Sequence, residues 1–81
     1  MTRDELSLYR LEIIKMEIIS EILYDVNLNN ITQKQLCATT GLSQSDVSEL
    51  LNGKRIYRFS VDRLLIILMK LGHDPSVYVT R

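Results

Sequence analysis

Residues that break helices are few in this chain and unevenly placed. Its glycines are Gly41, Gly53 and Gly72, and its one proline is Pro75. The first forty residues carry neither type, whereas the rest is punctuated at short intervals. Glycine and proline are the strongest local breakers, so this distribution favours one long helix followed by shorter ones.

The long helix is expected over about Asp4 to Val26. On a wheel of 100° per residue with Leu6 at zero, Glu17, Arg10 and Glu21 fall at roughly 20° to 60°. Leu8, Tyr9, Leu11, Ile13, Ile14, Met16, Ile18, Ile19, Ile22 and Leu23 occupy most of the rest. That apolar arc exceeds roughly 200°, about twice the stripe that a surface helix normally buries. Two readings stay open: a central core helix, or a helix in contact on two sides.

Asn27 to Asn30 reads as a turn. Thr32 is then an N-cap with Gln35 three residues on, a capping box, and Ile31 and Leu36 are spaced as a hydrophobic staple. Gly41 ends this second helix by accepting the left-handed conformation. Ser43 caps a third helix whose Asp46 favours its positive end, and Gly53 stops it. Lys54 to Arg58 is a basic connector. Ser60 caps a fourth helix, with Phe59 and Leu64 as its staple. Val61, Leu64, Leu65, Leu68 and Leu71 form its core stripe, and Gly72 marks its end. Beyond Pro75, Ser76–Thr80 alternates in the manner of a short β-strand. Fold expectation: a mainly α bundle of about four helices, one domain over 1–81, with a C-terminal strand at 76–80.

A domain of 81 residues buries roughly 60% of its unfolded surface, which leaves a monomer marginal and favours association. One cysteine, Cys37, permits no internal disulfide and no cysteine metal cluster. One histidine and no Gly-rich phosphate loop leave little to build an enzyme or cofactor site from, so no catalytic residue, metal or cofactor is expected. The opening MTRDEL lacks the character of a signal peptide, and the longest apolar run, Leu64–Met69, is too short to span a bilayer. A cytoplasmic protein without a membrane partner is expected.

The third helix carries the informative face. With Gln44 at zero, Gln44, Ser45, Ser48, Glu49 and Asn52 occupy roughly 0° to 140°, and Val47, Leu50 and Leu51 roughly 240° to 340°. One face is aliphatic. The other is rich in short amides and hydroxyls, which suits hydrogen bonding to base edges in a major groove.

The stretch from Thr32 through Cys37, Gly41 and Val47 to Gly53 resembles the phage-repressor type of helix-turn-helix, the xenobiotic-response-element family. A small residue stands at Cys37, glycine at the turn and a β-branched residue at Val47. The likeness continues through Asn52-Gly-Lys-Arg, Phe59-Ser-Val-Asp-Arg-Leu-Leu and the valine-rich ending, which are similar to the HigA-like antitoxin branch. The resemblance implies a helix-turn-helix at 32–53 in which Gln44, Ser45, Ser48, Glu49 and Asn52 read bases. It implies that Gln33 touches phosphate and buttresses Gln44. Thr32, Lys34, Lys54, Arg55 and Arg58 are placed to grip phosphates on either side.

The expected function is that of a sequence-specific DNA-binding transcriptional regulator, a dimeric repressor on a two-fold-symmetric operator in double-stranded DNA. A homodimer would form through Val77, Tyr78 and Val79 of the strand, with helix one as the other candidate interface. An antitoxin with a cognate toxin is an equal version of this reading, and Ile18, Ile22 and Leu23 would then add to a toxin-binding surface. The alternative is a protein-interaction module that keeps the fold without binding DNA. Ten basic residues against ten acidic ones favour that alternative, as do Asp46 and Glu49 on the reading helix. Charge is uneven, however: residues 1–31 hold three cations and six acids, so the remainder is net +3.

Overall fold

A computed structural model of the chain describes residues 2–74. Their order is α1 (Arg3–Leu28), α2 (Gln33–Thr40), α3 (Gln44–Leu51), a 3₁₀ turn (Ile56–Arg58) and α4 (Val61–Lys70). No strand occurs among the described residues, and the strand expected at Ser76–Thr80, with Val77, Tyr78 and Val79, lies outside them. No described helix is long and apolar enough to cross a membrane.

Local chemistry sets the ends of the helices. α1 runs two residues past Val26 and closes with Ile31 N–H on Val26 C=O at 2.9 Å, while Asn30 sits at φ 52°. Asparagine enters this left-handed region more readily than other side chains, and here it takes the role that glycine usually has. At α2 the capping box forms in both directions: Gln35 N–H donates to Thr32 Oγ1 at 3.1 Å, and Thr32 N–H donates to Gln35 Oε1 at 2.9 Å. Gly41 follows at φ 76°, its N–H on Cys37 C=O at 2.8 Å. Ser43 and Ser60 cap α3 and α4 in the same manner, each accepting from the third residue on at 3.1 Å.

The core joins α1 to α4 and α2 to α3, with α2 also touching α4. Ile18, Ile22, Leu36, Val47, Leu50, Leu64 and Leu68 are fully buried, and Phe59 closes the cluster. Burying each such side chain contributes about 1.5–3 kcal/mol. Ile67 is buried too, although the stripe read from the sequence passes beside it. Cys37 is half-buried against this core.

α1 is a core helix over part of its length, and its remaining apolar residues are exposed. From Ile14 onward its inner face enters the core, whereas no residue described before Ile14 is buried. Ile18 and Ile22 have no exposure and Leu23 is half-buried, so two of the three residues expected to add to a toxin surface are core residues instead. Two further contacts lock the bundle. Lys70 Nζ donates to Thr40 C=O at 3.1 Å, tying α4 to the end of α2. His73 lies between two carboxylates of α1: its Nδ1 is 3.2 Å from Glu21 and its Nε2 3.3 Å from Asp25, which fastens the exit of α4 to α1.

Candidate nucleic-acid interface

Packing of Val47 and Leu50 into the core fixes the rotation of α3 and turns its opposite face outward. Gln44 and Ser45, at its first two positions, are exposed, and neither side chain is engaged in a hydrogen bond among the described residues. Ser48, one turn on, is half-buried. Asn52 is exposed at the C-cap, but its Nδ2 donates back to Ser48 C=O at 2.7 Å and to Ser48 Oγ at 3.4 Å.

The two acids of α3 behave differently from the amides. Asp46 Oδ2 accepts from Arg63 Nη2 at 2.9 Å, and its Oδ1 lies 3.6 Å from Arg58 Nη2. Glu49 Oε2 accepts from Arg58 Nη1 at 2.9 Å, and its Oε1 lies 3.5 Å from Arg55 Nη1. The carboxylate side chains are only 16% and 15% exposed, whereas Arg55, Arg58 and Arg63 are 63%, 42% and 41% exposed. Three guanidinium groups therefore lie over two carboxylates, and the outer layer of the network is cationic. Glu49, expected among the base-reading residues, lies beneath this layer with each of its oxygens facing an arginine.

The cations expected to grip phosphate thus divide. Lys34 and Lys54 are exposed and form no ion pair among the described residues. Arg55 and Arg58 are shared with the acids, and the 3₁₀ turn that presents them was not read from the sequence. Arg55 opens that turn at φ 51°, an uncommon backbone state for a residue with a side chain. On α2, Thr32 spends its acceptor on the cap, and Gln33 and Lys34 are exposed beside it. No hydrogen bond joins Gln33 to Gln44 among the described residues.

Two residues of this surface escaped the sequence reading. Arg63 pairs with Asp46 and stands 5.0 Å over the Phe59 ring, a cation–π contact. Its only local signal was its place three residues after the Ser60 cap. Tyr57 lies between Arg55 and Arg58 and is 76% exposed, a ring that no core contact explains. An aromatic residue set among cations was the available cue.

Two short helices crossing through a glycine turn, with the second packed by Val47 and open at Gln44, are matched by one family model. It covers residues 3–80 under the description "Helix-turn-helix domain". The chain belongs to the helix-turn-helix domain family. Searches of curated proteins and of solved structures each returned no match. The helix-turn-helix domain accounts for α2, the turn and α3, and the match also takes in α1 and α4. Within the domain the second helix presents hydrogen-bonding groups outward, and the basic connector leaves from its end.

Proposed function

We propose that this helix-turn-helix domain is a sequence-specific DNA-binding regulator that acts as a dimeric repressor by occluding its operator. The observation that carries the reading is the division of labour on α3. Gln44 and Ser45 stand exposed at its start, while Asp46 and Glu49 are drawn under arginines. Glutamine binds adenine through two hydrogen bonds and serine pairs with several base edges. Ser48 and Asn52 lie further along the same helix. Lys34, Lys54, Arg55 and Arg58, with Thr32 and Gln33, supply the flanking phosphate contacts, which set register but carry no sequence information.

The rival reading, a protein-interaction module without DNA binding, draws on the neutral net charge and on the acids of α3. The arginine layer answers the second point, since a carboxylate covered by guanidinium repels phosphate less than a bare one. The antitoxin version requires a surface for a toxin, and Ile18 and Ile22 do not supply it. An operator-binding repressor needs no such surface and is the version we adopt.

The test is selection from a random duplex library with the full chain. A two-fold-symmetric site is expected, with half-site centres roughly 34–36 Å apart. Recovery of no consensus, with binding that follows salt alone, overturns the reading.

A further inference from the structure

α1 has a second apolar face that the body does not use. With Ile18 at zero on the helix wheel, Leu6, Tyr9, Ile13, Met16 and Ser20 fall between roughly 160° and 240°, opposite the core side. The four apolar members are 40%, 57%, 41% and 53% exposed. Ser20, Ile13 and Met16, together with Glu12 and Glu17, line a shallow depression here. The spacing is alternately three and four residues, the repeat by which two helices pack side by side.

We propose that this stripe is a homodimer interface, formed by antiparallel pairing of α1 with α1 of a second copy. It rests on the dimeric reading above and names the surface involved. Size and charge select both the occupant and the direction. An antiparallel pair centred between Ile13 and Met16 sets Tyr9 over the partner's Ser20, a large side chain into the depression left by a small one. Ile13 meets the partner's Met16, and symmetry repeats each layer. Arg10 and Glu17, seven residues apart on one edge of the stripe, then face the partner's Glu17 and the partner's Arg10. A parallel pair stacks Tyr9 on the partner's Tyr9, leaves the two Ser20 side chains facing across a gap, and sets Glu12 against the partner's Glu17. The pairing also meets little ordering cost, because the second half of each α1 is already held by its own core, whereas short free helices are marginal in water. It shares no residue with the α3 surface.

The test is sedimentation of the full chain across a concentration series, without DNA. The native chain is expected to dimerise. Ile13→Asp, at an exposed position, is expected to sediment as a monomer with unchanged helical circular dichroism. Arg10→Glu and Glu17→Arg are each expected to raise the dimer dissociation constant roughly tenfold, about 1.4 kcal/mol, and the double variant to recover most of the loss. Recovery is the mark of the antiparallel register. A monomeric native chain, an Ile13→Asp chain that dimerises as well as the native one, or a double variant no better than the singles overturns the proposal. So does a chain ending at Asp74 that becomes monomeric while the α1 variants still pair. Because no DNA is present, failure here leaves the base-reading assignment to its own test.

Discussion

Arg58 donates to Glu49 at 2.9 Å across nine residues of sequence, and so binds the basic connector to the helix that it follows. The same guanidinium lies 3.6 Å from Asp46, and one side chain thereby covers both acids of α3. Pairs open to solvent on the arginine side contribute modestly to stability, about 0–1 kcal/mol. On the proposed reading their consequence is for binding: the cations nearest α3 are held by carboxylates until phosphate competes for them.

Glu49→Gln removes one competitor. Arg55 is then released to phosphate and Arg58 keeps only Asp46 as a competitor, and affinity for all DNA sequences is expected to rise. The salt dependence should steepen by about one unit of log–log slope for each additional phosphate neutralised. Fluorescence anisotropy over a salt series reads both quantities, and unchanged slope and affinity would show that these arginines do not reach the backbone.

Backbone strain and charge can be separated at Arg55. Glycine adopts φ 51° without the cost of about 1–2 kcal/mol that a side chain meets there. Arg55→Gly is therefore expected to leave the melting temperature equal or higher while weakening binding to cognate and random duplex alike. A loss confined to the cognate site would instead make Arg55 a base reader.

Gly41→Ala tests the turn itself. No atom lies within 4 Å of where its Cβ would stand, so the cost comes from φ 76° alone. Denaturation is expected to report a loss of about 1–2 kcal/mol, with Gly41→Asn losing less because asparagine tolerates the left-handed region. Leu50→Ala, by contrast, opens a core cavity and is expected to cost about 2–5 kcal/mol. Equal stability of the alanine and asparagine variants at position 41 would contradict the backbone account.

Much of the fold was legible because its signals are local. Thr32 with Gln35, Ser43 and Ser60, and the glycine after each short helix, act within four residues of one another, and each cap forms as the spacing implies. The end of α1 was read less sharply, since asparagine at position 30 takes the left-handed state that glycine marks more plainly. What local pattern does not hold is pairing between elements. Asp46 meets Arg63 seventeen residues away, and His73 meets Glu21 and Asp25 on another helix. Sequence therefore placed Glu49 on the outward face but not beneath Arg58. The wide apolar arc of α1 was visible as well, yet only the position of the body divides it into a core half and an exposed stripe.

The central claim is that the start of α3 reads bases, and one comparison tests it most directly. Binding of the native chain, Gln44→Ala, Ser45→Ala and Lys54→Ala is measured on the selected site and on single-base variants of it. Gln44→Ala and Ser45→Ala are each expected to cost about 1–3 kcal/mol on the selected site and to lose discrimination at particular base pairs. Lys54→Ala is expected to weaken every duplex to a similar extent and to keep the pattern of discrimination. Discrimination among the single-base variants that survives intact in Gln44→Ala and Ser45→Ala would contradict the claim.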